Sequence, residues 1–436
     1  MERRKKIWAI AAAIGCLGFC STAAGNDIPD FILATALTSD EISAARKALA
    51  IKEDAIKTVK ADYLPTLTAD VTGSWVREGK KTSALVDRFA DITNPHTYTL
   101  TVDQNLWNGG QTTISEKIAL LDFKSEEYKL LEKIQEKLLE LIKLNSEIFK
   151  FQSILDLKEK NEDVLEYHLK SSKIRFKMGE ISETDVFKSE ARYASIISER
   201  IKAEYDLATA IQKYEAEHKA EFTKNTSIRP LELKLLPIDE VIANNYTLRA
   251  AFLNNKSNDL KYAKQRRANL PSLDMTGSAA HSRQTLNRDN QSTKFTAKLS
   301  LTMPLYDGGK NRSQISASLF EWKKSQDEYN SSVKNIKTEV NSLNGEYQAL
   351  LQKIKAIKIE IKAASKALDA TKKEVDVGTK AIVDLLDSEK ELLDAKIKLL
   401  EEKERLTILT YETKILSGQL ISSSVVEQFF NSKYQD

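Results

Sequence analysis

Two kinds of hydrophobic periodicity alternate along the chain. Residues 66–75 alternate strictly between polar and apolar side chains, which is typical of a strand with one wet face and one apolar face. The alternation recurs at residues 97–102, 273–276 and 294–303. The segments 66–75 and 294–303 have ten residues each, about the length that a tilted strand needs to cross a bilayer. The pattern predicts four strands arranged in two pairs.

A long helical segment follows each strand pair. Residues 111–177 and 310–376 are rich in Glu, Lys, Leu and Ile and contain no proline. An unbroken helix of that length would extend about 100 Å at 1.5 Å per residue. Beyond glycine turns at Gly179 and Gly378 the chain becomes helical again, with leucines every seven residues in the second half. This spacing predicts helices packed side by side along their length.

The junction between strands and helices is duplicated. Leu106-Trp107-Asn108-Gly109-Gly110 recurs 199 residues later as Leu305-Tyr306-Asp307-Gly308-Gly309. Asp185 and Asp384 have the same spacing, so the two halves share their register far beyond the glycines. The chain is therefore a tandem repeat in which each unit joins a strand hairpin to a helical hairpin.

The repeat defines the expected domain organisation. We expect a signal peptide at 1–25, repeat 1 at 26–218, an inter-repeat equatorial segment at 219–237, repeat 2 at 238–420 and a C-terminal equatorial tail at 421–436. The expected strand hairpins are 64–108 and 270–307, and the expected tips of the helical hairpins are 178–182 and 377–381. Each repeat begins with a shorter helix.

The N-terminus has the features of an export signal. A basic start is followed by a short apolar run at residues 7–19 and by small residues at 21–25. Cys16 and Cys20 both lie in this segment, so processing as a lipoprotein at either cysteine is the alternative. Any one alternating strand would also suit a soluble protein, but four of them behind an export signal favour an outer-membrane barrel. Since four strands cannot close a barrel, we expect an oligomer.

Composition argues against nucleic-acid binding and against enzymatic chemistry. The chain has 66 Lys and Arg against 63 Asp and Glu, so it lacks a net basic character. Its four histidines are scattered, and no HExxH, CxxC or phosphate-binding glycine motif is present. We therefore expect no catalytic residues, no cofactor and no metal.

These motifs together resemble the TolC-like outer-membrane factor family. The matching segments are Leu64-Pro65-Thr66-Leu67 and Leu270-Pro271-Ser272-Leu273, the segment from Met303 to Gly309, and the segment from Val377 to Asp387. The resemblance covers nearly all of the chain beyond the signal peptide. It implies a mixed α/β membrane protein, mainly of long antiparallel helices, whose homotrimer has a 12-stranded β-barrel in outer-membrane lipid and an α-barrel in the periplasm.

The family's function is that of a passive exit duct. The resemblance implies a channel of a tripartite efflux pump or a type I secretion system, working with a periplasmic adaptor and with an inner-membrane pump or ABC exporter. The sequence leaves drug efflux and protein secretion open. The alternative from a different class is a soluble periplasmic coiled-coil scaffold without channel activity, which the helices alone would suit.

The resemblance also assigns roles to residues near the tips. Asp384 and Asp387 resemble the family's pore constriction, where a trimer would place two rings of carboxylates, although a solvated helix face is the ordinary interpretation of two such aspartates. Gate contacts would join Lys380 to Thr184 and Asp185, and Lys403 would hold a second link.

Two further sets of residues complete the expected sites. Adaptor docking is expected at the tips, namely Gly179, Glu180, Ile181, Gly378 and Thr379. The strand-helix junctions are Gly109, Gly110, Pro304, Gly308 and Gly309. The first junction departs from the pattern because Asn105 stands where the second has Pro304, and we expect a less rigid bend there.

Overall fold

The computed structural model describes residues 30–78, 91–218, 228–231, 237–284 and 291–420. The expected signal peptide with its two cysteines and the expected C-terminal tail lie outside the described residues. The helices are α1 Asp30–Thr38, α2 Asp40–Ala61, α3 Gln111–Lys177, α4 Glu183–His218, α5 Ile238–Asn244, α6 Tyr246–Arg266, α7 Lys310–Asp376 and α8 Ile382–Leu416. The strands are β1 Thr66–Gly73, β2 Val76–Glu78, β3 Asp91–Thr93, β4 Pro95–Trp107, β5 Ser272–Gln284 and β6 Gln291–Thr302.

The four predicted strands form one antiparallel sheet in the order β1-β4-β5-β6. The two hairpins are joined because β4 pairs with β5, which connects residues of the two repeats. A short ribbon of β2 and β3 is additional to the predicted strands and extends the first hairpin beyond the sheet. The prediction of strands in two pairs is confirmed, and β4, β5 and β6 are longer than their alternating cores.

The register of the sheet puts the apolar positions of all four strands on one face. Leu100 of β4 lies opposite Ala69 of β1 and Ala279 of β5, and Ala279 lies opposite Phe295 of β6. The neighbouring row, shifted by one residue, is polar and contains Asp70 opposite Thr99. Because side chains alternate across a strand, the sheet has one continuous apolar face and one continuous polar face.

In a single chain, no other part of the described structure covers the apolar face of the sheet. Its most exposed large side chains include Leu67, Val71, Phe295 and Leu299. The outer sides of β1 and β6 have no paired strand among the described residues. Unpaired strand edges and an exposed apolar face both need a partner, since unpaired backbone groups are costly away from water.

The two long helices coincide with the segments that the absence of proline predicted. The helices α3 and α7 have 67 residues each. Each extends from the sheet to a tip, where α4 or α8 returns antiparallel to it, and α8 also packs against α3 of the first repeat. None of the described helices is both long and apolar enough to cross a membrane.

The largest apolar core lies near the middle of the helical body. It is formed by α1, α2, α3 and α8 around the fully buried side chains of Ile42, Leu138, Leu141 and Tyr411. Segment 228–231 is tied to this region, because the Tyr411 hydroxyl donates to the carbonyl of Arg229 at 3.3 Å. This core lies away from the tips, so other contacts hold the hairpins together there.

Candidate functional site

Both helical hairpins turn at a glycine with a positive φ. Gly179 has φ 80° and Gly378 has φ 78°, and each closes the end of a long helix. The amide of Glu180 donates to the carbonyl of Arg175 at 2.9 Å, and the amide of Thr379 donates to the carbonyl of Glu374 at 2.8 Å. These bonds satisfy carbonyls at the helix ends, so the turn geometry explains the glycines without any docked partner.

Asp384 lies at the start of α8 and acts as a helix cap. Its Oδ2 accepts a hydrogen bond from the amide of Ala381 at 3.3 Å. Its repeat counterpart Asp185 accepts one from the Ser182 hydroxyl at 2.7 Å. A carboxylate at this position stabilises a helix by satisfying free amides and by complementing the helix dipole. Asp384 is exposed at the tip, whereas Asp185 is half-buried.

Asp387 is paired with an arginine of the other hairpin. Arg192 of α4 and Asp387 of α8 form an ion pair, and their side chains are 37% and 52% exposed. This contact joins the first helical hairpin to the second close to the tip. Within one chain, Asp387 is therefore a link between hairpins with a compensated charge, whereas Asp384 presents its carboxylate to solvent.

Lys380 pairs with its own hairpin in this structure. Its ammonium lies 2.8 Å from the carboxylate of Glu374, which is in the last turn of α7. This contact raises the pKa of Lys380 above its ordinary value. Glu374 pairs with the ammonium of Lys380 because the two side chains flank the same turn. In the described residues, neither Thr184 nor Asp185 forms a hydrogen bond or an ion pair with Lys380. In the described part of the chain, the ammonium of Lys403 forms no ion pair.

Other ion pairs hold the two hairpins together. One hydrogen bond and two ion pairs join α3 to α8 along the helical body: the hydrogen bond His168–Glu389 at 3.0 Å, and the ion pairs Lys150–Glu404 at 2.9 Å and Lys143–Glu412 at 2.8 Å. The middle pair is well shielded from solvent, with side chains 18% and 15% exposed. With Arg192–Asp387 they form a series that runs from the tip to the central core. Sequence patterns did not indicate these links, since each depends on how α8 packs against α3 and α4.

An apolar cluster lies directly behind the tip contacts. Leu386 and Leu393 of α8 are buried against Leu165 of α3 and Ile196 of α4. The side of α8 that carries these leucines therefore occupies the groove between α3 and α4. Arg192–Asp387 and His168–Glu389 lie at the level of this cluster, so polar and apolar contacts together position α8 near the tip.

The strand-helix junctions have the backbone that their glycines imply. All four glycines have positive φ, between 68° and 88°. A Cβ at Gly109 would lie 2.8 Å from the Cβ of Leu270, and one at Gly110 would lie 2.9 Å from a guanidinium nitrogen of Arg267. At Gly308 and Gly309 a Cβ would meet nothing within 4 Å. The first junction is thus packed within the chain, whereas the second is open.

At the first junction, Asn105 stands where the second junction has Pro304, and it forms a hydrogen bond across the sheet. Its Nδ2 donates to Oδ1 of Asp274 across the β4·β5 pairing at 2.6 Å. The register of β4 shifts between Asn105 and Trp107, which bends the strand as it approaches the glycines. The second junction has Pro304 at the equivalent position, where the fixed φ of proline restricts the backbone.

Known proteins share this arrangement. The sequence profile of the outer membrane efflux protein family matches residues 34–213 and 238–409, one stretch in each repeat. The chain belongs to the outer membrane efflux protein family. Outer membrane efflux protein BepC of Brucella suis biovar 1 (strain 1330) is 23% identical over 287 residues, which are 63% of this chain and 59% of BepC. The matched segment thus covers less than two thirds of that relative.

Solved structures of outer membrane channels have the same fold as this efflux family member. The CmeC outer membrane channel of Campylobacter jejuni matches with a TM-score of 0.81 at 13% identity, over 97% of this chain and 94% of CmeC. The open state of the MtrE outer membrane channel of Neisseria gonorrhoeae matches with a TM-score of 0.74 at 18% identity, over 92% of this chain and 94% of MtrE. At these identities the likeness establishes the fold.

The family assignment confirms the resemblance, and the solved structures confirm the expected fold of long helices with a four-stranded antiparallel sheet. It also confirms the location in the bacterial outer membrane, with the helical body in the periplasm. The family and the fold are those of efflux channels. Among the described residues, no group of three or more His, Asp or Glu side chains is placed to hold a metal ion.

Proposed function

We propose that three copies of this chain form a passive exit duct across the outer membrane and the periplasm. The observation that carries the proposal is the four-stranded sheet, which has a continuous apolar face and two open edges. Three such sheets would close a barrel of twelve strands whose apolar face meets lipid and whose polar face lines water. The helices below, each about 100 Å long if straight, would continue the duct through the periplasm.

The duct has no chemistry of its own in this proposal, so energy comes from an inner-membrane pump. A periplasmic adaptor would dock at the hairpin tips, namely Gly179, Glu180, Ile181, Gly378 and Thr379. The family description and the name of BepC both refer to efflux, which supports a tripartite efflux pump over a type I secretion system as the assembly. The protein acts as a channel and not as an enzyme.

The gate of the proposed duct lies at the tips. Asp384 is exposed and close to the turn, so three copies would bring three uncompensated carboxylates near the axis. Asp387 would add a second ring of carboxylates in a state in which its ion pair with Arg192 is broken. Carboxylate rings in a narrow pore attract cations and bind multivalent ones. The link between Lys380 and the first hairpin would form in a state of the gate in which Lys380 leaves Glu374.

The test of the duct is its extraction and assembly. A duct requires detergent for extraction from membranes and runs as a trimer on gels until it is heated. The different-class alternative, a periplasmic scaffold, would be released without detergent. Release of the mature chain with the periplasmic fraction would overturn the proposal.

A further inference from the structure

The internal repeat predicts how one copy contacts the next. In the chain, α8 of repeat 2 occupies the groove between α3 and α4 of repeat 1. The equivalent groove, between α7 and α8, has no third helix in it among the described residues. The repeat equivalent of α8 is α4, and within one chain α4 pairs with α3 in the first hairpin. A second copy of this chain therefore has the element that fits the open groove.

We propose that α4 of one copy fills the groove between α7 and α8 of the next, with Phe187 as its central apolar contact. Phe187 is the repeat equivalent of Leu386, and it is 59% exposed although Leu386 is 2% exposed. This inference rests on the proposed oligomer and adds the residues through which the copies meet.

The sizes of the side chains in the two grooves are complementary. Leu386 packs in the chain against Leu165 and Ile196. At the 199-residue spacing, Ala364 takes the place of Leu165 and is half-buried in the chain. Ala395 takes the place of Ile196, and it is already fully buried within the chain. The groove of the second repeat thus has a smaller side chain at Ala364, and the side chain that would enter it is the larger Phe187. A larger side chain facing smaller walls keeps the total volume of the contact similar, which is what close packing requires.

Charge supports the same contact. The in-chain pair of Arg192 on α4 and Asp387 on α8 borders the filled groove. Its repeat equivalents are Glu391 on α8 and Lys188 on α4, so the positions have exchanged their charges but remain opposite in sign. Both side chains are exposed, and in the described residues neither forms an ion pair. Lys188 of one copy would face Glu391 of the next.

The strands give an independent register for the same neighbour. In the chain, the Thr276 hydroxyl of β5 donates to Asp103 of β4 at 2.7 Å. The equivalent of Asp103 in β6 is Thr302, and the equivalent of Thr276 in β1 is Asp70, 206 residues earlier. The open edges of β6 and β1 therefore carry the same threonine-aspartate pair with the partners exchanged. Pairing in this register also aligns the apolar face of one copy with that of the next.

These contacts are heterologous, because each copy offers two different surfaces. Repeating one such contact closes a ring when the rotation per copy allows it. The exposed Leu64 fits the same scheme, since its equivalent Leu270 lies against Gly109, and Gly308 has free space at the corresponding place.

Thiol crosslinking tests the tip contact. Lys188→Cys combined with Glu391→Cys, treated with a short bis-maleimide in membranes, is expected to give covalent species of two and three chains. Three controls apply. Arg192→Cys with Asp387→Cys should crosslink only within a chain. Lys188→Cys with Glu401→Cys places the second thiol about 15 Å further along α8 and should crosslink less, and the parent chain with Cys16 and Cys20 gives the background.

The strand register and the apolar contact have their own variants. Thr302→Cys with Asp70→Cys should form an intermolecular disulfide on oxidation, whereas Thr302→Cys with Thr68→Cys or Thr72→Cys should not. Phe187→Ala should lower the temperature at which the trimer dissociates, and Phe187→Ala with Ala364→Leu should recover part of that loss.

The outcomes separate this inference from the proposed function. Intact, conducting trimers that crosslink preferentially through the displaced pairs would overturn the contact and leave the duct standing. Absence of any oligomer and of any conductance in the parent protein would overturn both. Crosslinking through the equivalent pairs alone supports the inference.

Discussion

The pair of Arg192 and Asp387 makes the sharpest prediction about the gate. Arg192→Ala removes the cation that ties α8 to α4 near the tip and leaves the apolar cluster around Leu386 intact. The change should loosen the second hairpin relative to the first. We expect the trimer to spend a larger fraction of time in its conducting state.

The size of the effect follows from exposure and copy number. Both side chains are partly exposed, at 37% and 52%, and pairs of this kind contribute about 0.2 to 1 kcal/mol. If the three copies open together, three such pairs are lost, and the closed state loses about 0.6 to 3 kcal/mol of stabilisation. This corresponds to a roughly 3- to 160-fold rise in the ratio of open to closed channels.

Single-channel recording in planar bilayers measures this ratio. Arg200→Ala is the matched control, because Arg200 pairs with Glu162 and Glu204 and all three residues belong to the first hairpin. The exchange of charges in Arg192→Asp with Asp387→Arg should restore the parent ratio of open to closed channels. An unchanged open fraction in Arg192→Ala, or an equal rise in Arg200→Ala, would refute the assignment of this pair to the gate.

Four further predictions concern the pore, the tip, the core and the junctions. Asp384→Ala with Asp387→Ala should abolish block by trivalent cations, and persistence of the block would exclude these carboxylates as the constriction. Lys380→Ala should change single-channel conductance if the link to Thr184 and Asp185 forms in the closed gate, and an unaltered conductance would show that it does not. Leu386→Ala should destabilise the helical body by about 2 to 5 kcal/mol in denaturant unfolding, because it empties a buried site. In the dissociated chain, Gly109→Ala should reduce stability more than Gly308→Ala, since only Gly109 has a close neighbour, and equal losses would contradict the open second junction.

Much of the fold could be predicted because each element has its own period. The alternation at 66–75 and 294–303 indicates strands, and the absence of proline between Gly110 and Gly179 indicates an unbroken helix. The duplicated glycine pairs marked the junctions, and their positive φ angles agree with that interpretation. These features depend on neighbouring residues and are therefore visible in the sequence.

The contacts between hairpins could not be predicted in the same way. Arg192 and Asp387 are 195 residues apart, and His168 and Glu389 are 221 apart. Each pair forms only because α8 lies in the groove between α3 and α4, and no local pattern specifies that packing. Lys380 shows the reverse case, since a nearby Glu374 on its own hairpin takes the partner role expected of Thr184 and Asp185. The 199-residue spacing is the one sequence signal that transfers such contacts from one groove to the next.

Single-channel conductance of the purified, detergent-extracted oligomer tests the account most directly. Reconstituted into planar bilayers, the parent protein should produce discrete conductance steps that favour cations and are blocked by trivalent cations, with the block lost in Asp384→Ala with Asp387→Ala. Bilayers that stay silent after fusion of a stable, correctly folded trimer would contradict the proposal that this chain forms an exit duct.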